Sequence, residues 1–143
     1  MLEKKKDFDA IALLASAART AATGSGDAVR MPGMVPAFGL VLDVTAAATD
    51  VGDLLDVYIQ TKVDGTNWLD VYRFTQCLGN GGAKRYIGKL VADAALTEFE
   101  NGAALGEHTG RALLGDDWRV RWAITDAGAD NASFTFSVAA CPM

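Results

Sequence analysis

From Gly115 to Ala140 apolar and polar residues alternate with a period of two. Trp118, Val120, Trp122 and Ile124 interleave with Asp117, Arg119, Arg121 and Ala123, and Phe134, Phe136 and Val138 interleave with Ser133, Thr135 and Ser137. Such alternation places one row of side chains on each face of an extended chain and specifies half-buried strands. Aromatic side chains bury about 150–250 Å² each, so this stretch carries the largest block of apolar surface, and the rest of the chain must cover it. Asp126, Gly128, Asp130 and Asn131 between the two rows tolerate turn conformations, so the sequence predicts a long antiparallel hairpin with Trp122 almost fully buried mid-strand.

The remainder also reads as strands. Ile11 to Ala18 is small and apolar and leads into Gly24-Ser25-Gly26-Asp27, predicting a first hairpin that returns through Ala28 to Met31. A helix over Phe8 to Ala22 is the competing reading, since Ala and Leu favour helices, but no i, i+3, i+4 stripe supports it. Phe38, Leu40, Leu42 and Val44 alternate with residues that are themselves fairly apolar, which suits a central strand. Leu55, Val57, Ile59 and Thr61 alternate with Leu54, Asp56, Tyr58 and Gln60. Asp64-Gly65 then supplies a hairpin turn, and the return strand places Trp68, Asp70, Tyr72 and Phe74 opposite Leu69, Val71 and Arg73. A further strand runs through Tyr86, Ile87, Lys89 and Val91, and Ala92 to Leu114 reads as a long loop with room for one helical turn. The expected fold is all-β, an antiparallel, jelly-roll-like β-sandwich of about eight strands, its apolar faces packed about 10 Å apart. Residues 10–143 form the expected sandwich domain, and residues 1–9 a charged arm.

Thirteen basic residues against 18 acidic ones give a net charge of −5, which disfavours nucleic acid as a partner. The dense basic run Lys4-Lys5-Lys6 is followed at once by Asp7 and Asp9 and reads as a solvated arm. No apolar run approaches the roughly 20 residues of a bilayer span, and no signal-peptide pattern opens the sequence, so the expectation is a soluble, unexported protein with no membrane partner. Cys77 and Cys141 are too few for a disulfide framework or a zinc set, and are expected reduced and at least partly buried.

Signs of catalysis are sparse. His108, the sole histidine, lies in the long loop without a nucleophile or orienting group at a recognisable spacing, and an exposed loop residue is the simpler reading. The serines lack a nucleophile elbow. Asp116-Asp117 and the set Asp126, Asp130 and Asn131 have the oxygen chemistry of a calcium site, yet turn formation accounts for them more simply, and the regular ligand spacing of a calcium loop is missing. Gly79 to Gly82 lacks the Lys-Ser/Thr of a phosphate loop. The reading is therefore no enzyme, with no catalytic residues, no cofactor and no metal site.

Arg119 and Arg121 project opposite the Trp row, and Arg73 takes an outward register on its own strand. A solvated face is the plain reading of each; a row of Arg on a rigid sheet also suits subunit contact, because Arg pairs with carboxylates in a fixed fork geometry. The blocks Leu54 to Gln76 (LLDVYIQTKVDGTNWLDVYRFTQ) and Leu113 to Ala140 (LLGDDWRVRWAITDAGADNASFTFSVAA) resemble a recurrent pattern in small β-sandwich structural proteins of tailed bacteriophages, head decoration proteins in particular. That resemblance implies a virion protein on the capsid surface, made in the bacterial cytoplasm, whose partners are the major capsid protein and further copies of itself, trimeric by analogy. Candidate contact residues are then Lys4, Lys5, Lys6, Arg73, Arg119 and Arg121, together with the long loop. The alternative is a carbohydrate- or host-surface-binding sandwich, as in a head fibre or tail component, and the placement of Trp68, Trp118 and Trp122 discriminates between the two.

Overall fold

In a computed structural model, residues 10–20, 22–31, 36–92, 98–111, 113–128 and 131–143 are described. They form β1 (Ile11–Arg19), β2 (Thr23–Ser25), β3 (Val29–Arg30), β4 (Ala37–Ala46), β5 (Leu54–Thr61), β6 (Leu69–Arg73), β7 (Cys77–Leu78), β8 (Lys84–Val91), β9 (Thr109–Gly110), β10 (Asp117–Thr125) and β11 (Phe134–Pro142), and no helix among the described residues. Four of these are fragments of two or three residues, which leaves seven substantial strands. Every pairing is antiparallel. One sheet has the order β1-β11-β4-β8; the other runs β2-β10-β5-β6-β9, with β3 also on β10 and β7 on β5. The expected antiparallel sandwich is present.

β10 and β11, the strands with the strongest alternation, do not form the expected hairpin. β10 pairs with β5, and β11 lies in the opposite sheet between β1 and β4. The two apolar rows meet face to face across the core instead of side by side within one sheet. Phe38 of β4 packs edge-on to Trp118 (ring centroids 5.3 Å apart), and Phe136 of β11 packs edge-on to Trp122 (6.0 Å). Alternation specifies which face is buried but not which strand lies alongside, so a connecting segment rich in turn residues serves an arch between sheets as well as a hairpin. The first expected hairpin is corrected in the same way: β1 pairs with β11, whereas β2 and β3 cross to the other sheet and pair with β10. The strand assignment of residues 11–18, preferred over a helix, holds.

β4 is central, flanked by β11 and β8, and its Phe38, Leu40, Leu42 and Val44 are all buried. Leu55, Val57, Ile59 and Thr61 line the facing layer without exposure. The β5–β6 hairpin forms around Asp64, whose carboxylate accepts the amide hydrogens of Thr66 (2.9 Å) and Asn67 (2.7 Å), while Gly65 takes φ +77°. Its register departs from simple alternation. Ile59 faces Tyr72 and Gln60 faces Asp70, so Val71 is an extra residue on β6. This bulge buries Val71 and Tyr72 together and places Asp70 and Arg73 on one outer face, where period-two reading had separated them.

Trp122 departs from expectation too: it is half-buried, unlike Trp118, which is fully enclosed. β2 runs beside β10 at this point, with Gly24 directly opposite Trp122, and a side chain on Gly24 would collide with the indole. Arg19 closes the top of the ring, its guanidinium 4.9 Å from the indole centroid and 4.7 Å from that of Phe136. A glycine and a guanidinium cover Trp122 where a second apolar layer would have enclosed it.

The candidate contact face

The outer face of the β2-β10-β5-β6-β9 sheet carries the arginines singled out in the sequence, and strand pairing fixes their neighbours. Arg119 lies across from Gln60 and Arg121 from Tyr58 on β5, and Tyr58 in turn lies across from Arg73 on β6. Arg119 Nε donates to Gln60 Oε1 (2.7 Å), and Gln60 Nε2 donates to Asp70 Oδ1 (2.9 Å). Arg121 grips both oxygens of Asp70, through Nε at 3.2 Å and Nη2 at 2.8 Å. The fork geometry makes this a strong class of ion pair, and about three quarters of each side chain is shielded from solvent (exposure 26% and 21%). Arg73 Nη2 donates to Asp56 Oδ1 (2.8 Å) and its Nη1 to the Leu105 carbonyl (3.1 Å), and Gln76 Nε2 reaches the same Asp56 carboxylate at 3.0 and 3.2 Å.

Aromatic rings fill the spaces between these charges. The Arg121 and Arg73 guanidinium groups lie 3.9 and 5.6 Å from the Tyr58 centroid, and Lys62 Nζ and Arg119 lie 4.4 and 4.5 Å from that of Trp68. The electrostatic consequences differ along the face. The hydrogen bond that Arg73 donates to Asp56 holds the Arg73 pKa above its ordinary value, whereas desolvation, followed by repulsion from Arg121, lowers that of Arg119. Arg119 is bonded to a neutral amide and lies over an indole, and it pairs with no carboxylate among the described residues.

The structure thus brings Arg73, Arg119 and Arg121 onto one face, as expected, but already cross-linked within the chain rather than freely solvated. Lys4, Lys5 and Lys6 lie outside the described residues. The residues the sequence reading missed are Asp56, Tyr58, Gln60 and Asp70. Alternation on β5 had already placed Asp56, Tyr58 and Gln60 opposite the buried row, and pairing β5 with β10 would have revealed the matched acids and bases; Asp70 was hidden by the bulge.

The long segment is less loose than expected in its described part. Thr109–Gly110 pairs with β6, and Arg111 stacks on Phe99 (4.3 Å) while donating to the carbonyls of Ala103 (2.8 Å) and Ala104 (3.1 Å). His108 is exposed at φ +46° in the turn before β9. Cys77 is buried, which raises its thiol pKa, while Cys141 is exposed, correcting the expectation that both are covered; both thiols are free. Asp126 bonds the amide of Gly128 (3.1 Å) in a local turn, Asp117 pairs with Arg30 (3.5 Å), and no cluster of three or more His, Cys, Asp or Glu side chains suited to a metal occurs among the described residues. Clefts of about 280 Å³ (around Ala46–Asp50, Asp53 and Asn131–Ser133) and about 330 Å³ (around Asp43–Thr45 and Ala83–Arg85) are lined without any Trp. Comparison with protein-family models, curated proteins and solved structures finds no match.

Proposed function

We propose that this chain is a structural protein of a bacteriophage virion, a decoration protein that binds the exterior of the head as a homo-oligomer and cements the capsid lattice. Its partners on this reading are the major capsid protein and further copies of itself. The observation that carries the proposal is the outer face just described: arginines locked by Asp56, Asp70 and Gln60 and interleaved with Tyr58 and Trp68. Such a face is ordered before any partner arrives, so little side-chain entropy remains to be lost on docking, and Arg with aromatic residues is the composition enriched at protein interfaces. The resemblance of residues 54–76 and 113–140 to phage sandwich proteins supplies the virion context.

The tryptophans favour this reading over sugar binding. Trp118 is enclosed in the core, Trp122 packs against it, and the Trp68 ring is already engaged by the Lys62 and Arg119 cations instead of standing free to stack on a pyranose. Weak contacts repeated in a closed ring gain avidity on a lattice of identical sites. Sedimentation of the purified protein is expected to show a small oligomer, and co-sedimentation with expanded capsids is expected to show binding that raises their resistance to heat. Removing residues 1–9 is expected to weaken capsid binding while leaving the sandwich folded. A monomer without affinity for capsids that binds a host glycan would replace this proposal with the receptor-binding one.

A further inference from the structure

A sandwich has exposed strand edges, and an unprotected edge is a template for a further strand. Three of the edges here are blunted. On one side the second sheet ends in the fragments β2 and β3, and on the other in β9, each of two or three residues. In the first sheet, β1 is interrupted by irregularities between Ala12 and Leu14 and between Leu14 and Ala17. There the Arg19 guanidinium occupies the carbonyls of Ala15 (2.8 Å), Ala17 (2.9 Å) and Phe136 (2.8 Å).

β8, the remaining edge, has none of these devices. It is eight residues long, contains no proline, and pairs with β4 from Lys84 to Val91 without a register shift. Among the described residues no backbone hydrogen bond reaches it from any strand other than β4. Its outer-face side chains are Arg85, Ile87, Lys89 and Val91, all exposed, with Ile87 at 77%. Cation and apolar group alternate along that face, and Lys84 adds a third charge, so β8 carries three cations and no acid within a chain of net charge −5. Arg85 reaches Asp43 (3.2 Å), while Lys89 stands across from Gly39, which offers it no side chain.

We infer that β8 is a docking strand that accepts an extended acidic segment of another protein by strand addition. Main-chain hydrogen bonds would supply affinity, and alternate side chains specificity, with acids set against Arg85 and Lys89 and apolar groups against Ile87 and Val91. The charges select the occupant. Pairing β8 with β8 of a second copy would crowd six cations onto one junction (three from each strand), whereas an acidic strand neutralises them. Docking at β8 depends on this edge alone, whether or not the protein decorates a capsid.

The test uses two blocked, fluorescein-labelled peptides on the full chain, Val-Thr-Glu-Thr-Val-Thr-Glu and its counterpart with Lys in place of Glu. Anisotropy is expected to show binding of the acidic peptide and none of the basic one. Lys89→Glu is expected to weaken the acidic peptide by about tenfold or more, whereas Arg30→Glu, an equal change of charge at an exposed site on β3, should alter it by less than about twofold. Hydrogen exchange should show β8 amides gaining protection in the complex. Acidic-peptide affinity weaker than about 1 mM, equal loss in the two variants, or no added protection in β8 would overturn the inference, as would concentration-dependent protection of β8 in the protein alone.

Discussion

Trp118 and Trp122 occupy the same register of one strand, yet their surroundings give them different weights. Trp118 is fully enclosed, with Nε1 bonded to the Gly115 carbonyl (2.9 Å), whereas Trp122 is half-buried and its buried Nε1 has no hydrogen-bond partner among the described residues. Trp118→Ala is expected to cost about 3–5 kcal/mol in urea denaturation and Trp122→Ala distinctly less. The reverse order would contradict the assignment of the core. Asp64 gives a pH-dependent prediction. The amides of Asn67 and Thr66, then the Asn67 side chain, hold its pKa at about 2, down from 3.8. Because the folded value is depressed, the stabilisation is fully present above pH 3.8, declines as the pH falls below that value, and is lost on passing through about 2. An NMR titration should place the Asp64 midpoint near 2, and Asp64→Asn should flatten the stability profile across this window. A midpoint at the ordinary carboxylate value would contradict the turn geometry.

At the scale of elements, two contacts test how the strands are locked together. Asp70 joins β6 to Arg121 of β10 across the intervening β5 and also accepts Gln60. A double-mutant cycle on Asp70→Ala and Arg121→Ala is expected to return a coupling of about 1–2 kcal/mol, above the range of a freely exposed pair because the fork is partly shielded. Coupling indistinguishable from zero would mean the guanidinium is loose. Between the sheets, the Tyr72 hydroxyl lies where a side chain on Gly88 would project. Gly88→Ala is therefore expected to destabilise by about 1–3 kcal/mol, and Tyr72→Phe to recover part of that loss. Additive losses would show that the two positions do not meet. Gly88 was legible only as a small residue in a strand, since nothing local announces that a tyrosine from the other sheet arrives there.

For the whole molecule, connectivity has a kinetic consequence. β11 is flanked by β1 and β4, so the first sheet cannot assemble until the end of the chain joins strands from its beginning. Such non-local pairing makes folding slow, and stopped-flow refolding is expected in the range of about milliseconds to seconds. Relaxation complete within microseconds would be incompatible with this topology. The same connectivity leaves β8 as a full-length edge among the described residues, because the next described strand, β9, belongs to the other sheet.

The sequence by itself determined the all-β class and most of the buried set. Phe38, Leu40, Leu42 and Val44 on one strand and Leu55, Val57 and Ile59 on another are buried as their alternation required, because a period of two permits only one face to leave water. The outward placement of Arg119 and Arg121 was legible for the same reason. Only the tertiary structure decided which strands are neighbours: β10 and β11 face each other as an arch, and β1 lies beside β11 rather than β2. It also decided that a bulge at Val71 brings Asp70 round to Arg121, and that a glycine and an arginine cover Trp122. Those outcomes depend on contacts between segments remote in the chain, where the hydrophobic effect, being non-directional, rewards any cover for an apolar face and leaves close packing and hydrogen-bond matching to select one.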